Sequence, residues 1–248
     1  DPRNGSGRVR WSADTLLSLS LSLSLSLSES MLVAMKGHPG SGKSTLARSL
    51  AKALHWPLLD KDDVRDCTGP LHLALSASSS SPSKQHAALL NAMAYQVLWR
   101  MVETQLQMGL SIIVDSPLSR PSLFASAAAL AAAYHSQLVV VECMPSDAQI
   151  WKQRLESRGA AAAAAMSLQD VSLNGCAGGW HKPRCWEDLQ VLIQGYEGCY
   201  DYEVRAPARK LVVNTTSLSH SADAIADAVL RWLHSLSDND IQSVAYIP

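Results

Sequence analysis

Residues 31–44 read MLVAMKGHPGSGKS, an apolar run that passes directly into a glycine-rich turn. The run Met31–Lys36 is short and almost wholly apolar, as in strands that are buried on both faces of a sheet. The turn that follows has the spacing G-x-x-x-x-G-K-S. Its glycines allow backbone N–H groups to point inward around an anion without clashes from Cβ atoms. The pattern predicts a buried strand, a phosphate-binding loop and then a helix.

The side chains of this turn are of the types that bind the phosphates of a nucleotide. The helix that follows would present its first amides and the positive end of its dipole to the phosphates. Lys43 would supply a positive charge to the β- and γ-phosphates, and Ser44 an oxygen ligand to Mg²⁺. We therefore predict ATP and Mg²⁺ as cofactors, with the nucleotide in contact with Gly37, His38, Pro39, Gly40, Ser41, Gly42, Lys43, Ser44 and Thr45.

Strand and helix patterns alternate along the rest of the chain. Further apolar strands are predicted at 57–59, 110–114, 138–143 and 211–214, and helices at 44–54, 85–108, 121–135, 146–158 (ending at Gly159), 185–199 and 221–236. Continuous apolar strands separated by helices are typical of a parallel sheet covered on both faces. We predict an α/β fold of three layers, with a five-stranded parallel sheet in the order 2-3-1-4-5 and helices on both faces.

The first thirty residues differ in composition from the rest. Residues 16–28 alternate Leu and Ser, which a translated CT-dinucleotide repeat would produce. We interpret residues 1–30 as a low-complexity leader without a role in the fold, and a signal peptide or an organelle transit peptide remains as the alternative. The domain is then expected over 31–236, with a lid at about 145–184 and a loose tail at 237–248.

Two low-complexity segments interrupt the predicted elements. Residues 66–84 are rich in Ser and contain Gly and Pro, so we predict a loop there. Residues 160–165 are all Ala, which leaves open a helix former or a flexible insertion.

Acidic residues follow two of the predicted strands. The carboxyl ends of parallel strands face the ligand crevice. Asp62, in DKDDVR at 60–65, would accept the proton of an attacking hydroxyl, and Arg65 would hold a negatively charged part of the acceptor. Asp115 would bind Mg²⁺ or a water on the metal. The structural alternatives are a solvated helix start at 60–65 and an acidic turn before Pro117.

Arg154 and Arg158 are four residues apart in a predicted helix, so both lie on one face of it. Two guanidinium groups that converge on a transferring phosphoryl group would stabilise its charge in the transition state. The alternative is a surface salt bridge with Glu156.

Composition limits the class of partner. The chain has 248 residues, 21 Lys and Arg, 22 Asp and Glu, and a formal charge of −1, which excludes a disordered polyelectrolyte and does not favour a long nucleic acid. Five irregularly spaced cysteines indicate a reducing compartment, so we expect a cytoplasmic protein, or an organelle protein if the leader is a transit peptide. As a separate expectation, the protein is a monomer. The sequence contains no run of 18 apolar residues, so it predicts no membrane helix. A zinc set of Cys176, His181, Cys185 and Cys199 lacks the usual Cys-x₂-Cys pair.

Together these motifs resemble those of the P-loop kinases that include polynucleotide 5′-hydroxyl kinases and zeta-toxin-like kinases. The chain also resembles plant P-loop nucleoside triphosphate hydrolase proteins, with HKP at 181–183. In this resemblance LDKDDVR matches the acceptor motif, with Asp62 activating the hydroxyl and Arg65 contacting an acceptor phosphate. RLESRG matches the lid motif, with Arg158 on the phosphoryl group, and residues 214–216 match a loop near adenine.

The motifs and the resemblance lead to one expected activity, transfer of the γ-phosphate of ATP to a hydroxyl. The expected catalytic residues are Lys43, Asp62 and Arg158, the substrate-binding residues Arg65 and Arg154, and the metal ligands Ser44 and Asp115. The acceptor is left open between a small molecule and the 5′-hydroxyl of a nucleotide or nucleic acid. An ATPase or nucleotide-dependent switch without an acceptor, and a P-loop protein that only binds nucleotide, are the alternatives.

Overall fold

The structure, a computed structural model, describes residues 30–78, 83–168, 181–217, 221–236 and 244–248. Within these ranges the strands are β1 (Met31–Lys36), β2 (Leu58–Asp60), β3 (Ile112–Asp115), β4 (Gln137–Met144), β5 (Arg209–Asn214) and β6 (Val244–Ile247). The helices are α1 (Lys43–Leu54), α2 (Lys61–Asp66), α3 (Gly69–Ser78), α4 (Ser83–Gln107), α5 (Pro121–Ala133), α6 (Ala148–Leu168), α7 (Trp186–Gln194) and α8 (Ala222–Ser235). Apart from Ser30, the predicted leader lies outside the described residues.

The strands of the described chain form one parallel sheet in the order β2-β3-β1-β4-β5-β6. The predicted order of the first five strands is confirmed, and the predicted number of strands is wrong. The sixth strand lies where a loose tail was expected. Its residues pair with the open edge of β5, and Ala245 and Ile247 pack on the core while Val244 and Tyr246 stay exposed. Edge pairing and alternate burial stabilise this short segment.

Alternate residues of the central strand β1 serve two separate cores. Val33 and Met35 pack with residues of α1 and α8 on one face of the sheet. Leu32 and Ala34 pack with residues of α4 and α5 on the other face. All four side chains are essentially inaccessible to solvent, which explains why the strand is apolar at successive positions rather than at every second one. The three-layer α/β fold is therefore confirmed.

The Ser-rich segment 66–84 is mostly helical, so the predicted loop is wrong for its described residues. Helix α3 begins at Gly69, and Pro70 lies in its first turn, where a missing backbone N–H costs nothing. Leu and Ala between Pro70 and Ser78 then favour the helix. Gly and Pro therefore lie at the start of a helix here, whereas the sequence pattern predicts a loop.

Helix α6 also continues where the sequence predicted its end. It passes through Gly159 and the Ala run 160–165 to Leu168, because six alanines outweigh the modest helix penalty of one glycine. The glycine has a packing function instead. The backbone of Arg184 crosses the helix at this point, and a Cβ atom on Gly159 would lie 2.1 Å from the Arg184 carbonyl oxygen.

A helix must be both long and apolar to cross a bilayer. No helix in the described ranges has both properties.

Replacing Gly159 with Ala tests this crossing. In a helix without the crossing, the substitution would raise stability by up to about 1 kcal/mol. We expect a loss instead, of about 1–3 kcal/mol, because Arg184 must move. Thermal unfolding should then show a melting temperature lower by several degrees.

The matched control is Gly195→Ala, at a glycine with φ of −67° and no atom closer than 3.4 Å to an added Cβ. This variant should melt no lower than the wild type. A Gly159→Ala protein as stable as the control would contradict the close crossing.

Candidate functional site

The glycine-rich turn connects β1 to α1 and has the backbone conformation that the sequence predicted. Gly40 and Gly42 have φ values of 79° and 84°, in the left-handed region that side chains disfavour. Gly42 caps α1, so the helix begins at Lys43 with its first amides facing the cleft side of the turn. A Cβ on Gly40 would also meet Trp151 and Leu155 at 3.2–3.3 Å. Both conformation and space therefore require glycine here.

Side chains from distant parts of the chain hold the loop in place. The Thr215 hydroxyl, after β5, donates to the Ser41 carbonyl at 2.6 Å. The indole N–H of Trp151, in α6, donates to the Pro39 carbonyl at 2.9 Å. Thr215 thus contacts the loop, and a position of residues 214–216 near adenine stays a prediction. These bonds join the loop to β5 and α6.

His38, the second residue of the loop, is fixed by aromatic packing. Its ring stacks on Tyr200 at 3.8 Å between centroids, and Tyr196 and Trp151 lie within 6 Å. Burial, together with the nearby Lys36 ammonium, lowers the pKa of His38 to about 4. The imidazole is therefore neutral at physiological pH, and its role in the described structure is to hold the loop rather than to carry charge.

Lys43 forms an ion pair with Asp115 at the carboxyl end of β3. The Lys43 Nζ and an Asp115 carboxylate oxygen are 2.5 Å apart, and Asp115 is 1% exposed. Burial opposes the charge on Lys43, but Asp115 outweighs it and raises the pKa of the ammonium above its ordinary value. The second carboxylate oxygen, Oδ2, is buried and has no hydrogen-bond partner in the described protein.

Asp60 is a site residue that the sequence analysis missed. It ends β2 directly beside Asp115 in the sheet register, and its side chain is 9% exposed. Burial, and then the nearby Asp115 carboxylate, raise the pKa of Asp60 to about 6. Asp60 also accepts a hydrogen bond from the Asp62 amide at 2.8 Å, which caps α2. The signal in the sequence is the repeated aspartate of LDKDD, in which the sequence analysis gives a role to Asp62 alone.

The two strand-end carboxylates fit a bound Mg²⁺. An orphaned carboxylate oxygen on Asp115 and a raised pKa on Asp60 both indicate a place where a cation would stabilise the ionised groups. Among the described residues no cluster of three His, Cys, Asp or Glu side chains forms a metal cage. That is consistent with Mg²⁺, which commonly uses one or two carboxylates and completes its shell with phosphates and water.

Asp62 lies on α2 between two lysines. Lys61 Nζ is 2.8 Å from one of its oxygens, and Lys182 Nζ is 3.0 Å from the other. Burial would raise the pKa of Asp62, but the two ammonium groups outweigh it and hold the pKa well below its usual range. Asp62 is therefore an ionised hydrogen-bond acceptor at all pH values near neutrality. Lys182 was not among the predicted site residues.

Three predicted arginines also reach the same cleft. Arg65 is 3% exposed and donates to the Ala87 carbonyl at 2.8 Å. Arg154 donates to the Thr215 carbonyl at 2.9 Å, and Arg158 donates to the Pro183 carbonyl at 3.3 Å. Both arginines of α6 line the cleft that contains the loop. The salt-bridge alternative does not apply to them, because Glu156 contacts Lys152 instead.

One cleft of about 1370 Å³ brings these residues together. Its wall includes the whole glycine-rich loop through Thr45, with Asp62, Arg65, Arg154 and Arg158 facing it. Asp115 lies behind Lys43 and does not line the cleft. Of the four residues in the zinc hypothesis, Cys176 lies outside the described residues. His181 contacts Asp66 at 3.2 Å.

A phosphate loop on the first strand of a parallel 2-3-1-4-5 sheet, with helices on both faces, defines a P-loop kinase-like protein by fold. The chain belongs to the AAA domain family, whose sequence model matches residues 32–174, more than half of the chain. That match covers the loop, the acidic motif after β2 and the arginines of α6.

The chain is similar to curated proteins and to solved structures. Uncharacterized proteins of Mycobacterium tuberculosis and Mycobacterium bovis are each 31% identical over 112 residues, 45% of this chain. The chain spans only 22% of the length of those relatives. A protein from Chloroflexus aurantiacus, provisionally classed as a kinase, has 20% identity and a TM-score of 0.54 over 84% of this chain and 98% of its own. Kti12 of Chaetomium thermophilum, in complex with ADP-AlF3, has 15% identity and a TM-score of 0.49 over 81% of this chain and 97% of its own.

The raised pKa of Asp60 predicts a specific dependence of stability on pH. Folding raises this pKa from 3.8 to about 6, so the folded protein holds a proton that the unfolded chain releases. Asp60 therefore destabilises the fold increasingly as the pH rises from about 4 to 6, and fully above that. We expect Asp60→Asn to raise the free energy of unfolding at pH 7.5 by roughly 2–3 kcal/mol, and by little at pH 4.

Urea denaturation between pH 4 and 7.5, without nucleotide or Mg²⁺, measures this effect. Asn keeps an oxygen that can cap α2, so the cap is preserved. Asp63→Asn, at an exposed position of the same helix, is the control and should show no such pH-dependent gain. Equal gains in the two variants would contradict the assigned pKa shift.

Proposed function

We propose that the chain transfers the γ-phosphate of Mg²⁺–ATP to a hydroxyl group of a second substrate. The observation that carries the proposal is that one cleft contains both the phosphate loop and the ionised Asp62 carboxylate. A nucleotide alone would need the loop and the metal site, but it would have no use for a hydroxyl-accepting carboxylate on a neighbouring helix. Membership of the family and the P-loop kinase-like fold support the same class of reaction.

Each residue has a distinct role in this proposal. The backbone N–H groups of Gly40, Gly42, Lys43, Ser44 and Thr45 and the Lys43 ammonium bind the phosphates of ATP. Mg²⁺, held by Ser44 and Asp115 with Asp60 beside them, would neutralise charge on those phosphates. Asp62 accepts a hydrogen bond from the attacking hydroxyl and takes its proton as the bond to phosphorus forms.

The lid arginines complete the proposed mechanism. Arg158 stabilises the phosphoryl group in transfer, and Arg154 binds the phosphates of the substrate ATP next to it. Their partners in the structure are backbone carbonyls rather than carboxylates, so phosphate oxygens would gain the stronger charge-assisted hydrogen bonds. The low pKa of Asp62 makes it a weak base, which suits a loose transition state in which the hydroxyl proton leaves late.

Asp62→Asn tests the acceptor side of this mechanism. Asn keeps the shape of the side chain but cannot take a proton, so transfer should fall by about 10²-fold or more. ATP affinity should change little, because Asp62 is not part of the phosphate loop. A γ-³²P-ATP transfer assay against a panel of hydroxyl compounds, with ATP binding measured in parallel, gives both values.

Asp63→Asn is the matched control, since Asp63 is exposed on the same helix and does not line the cleft. Full transfer activity in Asp62→Asn would overturn its assignment. Steady ATP hydrolysis that no hydroxyl compound alters, in wild type and Asp62→Asn alike, would favour an ATPase or switch. Binding of ATP with neither hydrolysis nor transfer would favour a protein that only binds nucleotide.

Lys43→Ala tests the nucleotide side. Loss of the ammonium should weaken ATP binding by about tenfold or more, measured by calorimetry with Mg²⁺ present. The variant also leaves the buried Asp115 without its partner, which lowers stability by itself. The double variant Lys43→Met with Asp115→Asn removes both charges, and it should recover stability without recovering ATP affinity. Unchanged ATP affinity in both proteins would contradict the role of the loop.

A further inference from the structure

The cleft is far more positive than the chain that forms it. The whole chain has a formal charge of −1. Among the residues that the structure describes, eight Lys and Arg side chains line the cleft, and Asp62 is the only carboxylate in its wall. A concave site with one sign of charge focuses its field and concentrates ligands of the opposite sign. The basic side chains are therefore concentrated in a cleft that would attract anionic ligands.

Four of these cations are accounted for on the nucleotide side. Lys43 belongs to the loop, Arg154 and Arg158 line the cleft that contains it, and Arg48 stands 3.8 Å from Asp60. Asp115 and Asp60 offset Lys43 and Arg48, so Arg154 and Arg158 remain for the roughly two negative charges that ATP keeps once Mg²⁺ has offset the other two.

The other four cations include those in contact with the acceptor carboxylate. Lys61 and Lys182 contact Asp62 directly, Asp62 acts electrostatically on Arg65 of the same helix, and Arg120 also lines the cleft. Tyr95 lies beside this group in the cleft wall. Its ring centre is 5.6 Å from Lys61 Nζ, and both Asp62 and Arg120 act on its hydroxyl electrostatically.

Two carboxylates cannot balance this group. Asp60 pairs with Arg48 on the nucleotide side. Asp66 contacts His181, but burial lowers the pKa of that histidine to about 4, so Asp66 keeps its negative charge for Arg65. The four cations therefore carry more positive charge than Asp62 and Asp66 together offset.

Lys182 is held against Asp62 by the crossing described above. Gly159 allows the backbone of residue 184 to pass close to α6, and Arg158 donates to the Pro183 carbonyl. His181 contacts Asp66 on α2. The Lys182 side chain is 29% exposed, so it faces the cleft and is not buried in the core. An ammonium has three donors, so Lys182 can contact a ligand while it remains on Asp62.

We propose that the acceptor is a small hydroxyl compound with an anionic group, a phosphate or a carboxylate, and that Lys182 and Arg120 bind this group. The inference rests on the proposed function. The anionic group offsets the excess positive charge of the cleft, and its binding brings the hydroxyl of the same molecule to Asp62. A neutral acceptor would enter an uncompensated positive field and would gain no such contact. Lys182 thus determines specificity, through an ammonium that contacts both the substrate and the residue that takes its proton.

Binding of simple anions tests the proposal without knowledge of the acceptor. The protein is first saturated with Mg²⁺ and a non-hydrolysable ATP analogue, which fills the phosphate loop. Inorganic phosphate and acetate are then titrated separately by calorimetry, so that the two anion chemistries are distinguished. We expect saturable binding of at least one of them, weakened fivefold or more in Lys182→Gln and in Arg120→Gln and largely retained in Lys182→Arg.

Lys152→Gln is the matched control. Lys152 is on α6 but pairs with Glu156 outside the cleft, so its loss should not change anion binding. Affinity of each variant for the ATP analogue shows that it is folded. Absence of anion binding to the nucleotide-loaded wild type would overturn the proposal, as would wild-type affinity in Lys182→Gln.

A transfer assay separates this inference from the proposed function. Glycerol, glycerate and glycerol 3-phosphate, and likewise glucose, gluconate and glucose 6-phosphate, differ mainly in their anionic group. Anionic members should be the better acceptors, and Lys182→Gln should lower their kcat/KM relative to that of the neutral member by about tenfold or more. Transfer to neutral members alone would leave the kinase function standing and overturn the anionic acceptor. Anion binding at Lys182 with no transfer to any hydroxyl would count against the kinase function instead.

Discussion

The buried contact between Lys43 and Asp115 joins the two halves of the candidate site. Lys43 is the first residue of α1 and Asp115 the last of β3, so the pair ties the phosphate loop to the neighbouring strand. Neither charge can be removed alone at low cost, because the remaining one would stay buried without a partner. Burial, together with this same carboxylate, raises the pKa of Asp60 on the next strand. The loop, the proposed metal site and the start of α2 are thus linked through one ion pair.

The acceptor side depends on a second constraint, the passage of residues 183 and 184 across α6. Gly159 removes the side chain that would block this passage, and Lys182 is thereby brought to Asp62. A single small residue in a long helix therefore influences the charge around the proposed proton acceptor. The result is a cleft in which the protein concentrates its cations, although the chain as a whole is almost neutral.

Local patterns predicted much of the fold because each depends on neighbouring residues. The strand MLVAMK and the loop follow from an apolar run and glycine spacing, and the order of the first five strands agrees with the resemblance to P-loop kinases. The errors have one physical origin. A helix through Gly159, a helix begun at Pro70 and an edge strand at residues 244–247 all depend on packing partners elsewhere in the chain. Local propensity is too weak to decide such cases.

The candidate site divides in the same way. By itself the sequence singled out the phosphate loop, Asp62, Asp115 and the arginines of α6 as candidates, because each belongs to a motif whose residue types and spacing have a chemical meaning. Only the tertiary structure placed Asp60 beside Asp115 and Lys182 on Asp62. The first contact comes from strand register and the second from a chain crossing 120 residues away, and neither leaves a local pattern. Electrostatic fields act through space, so the charge of the cleft could be known only once the chain was folded.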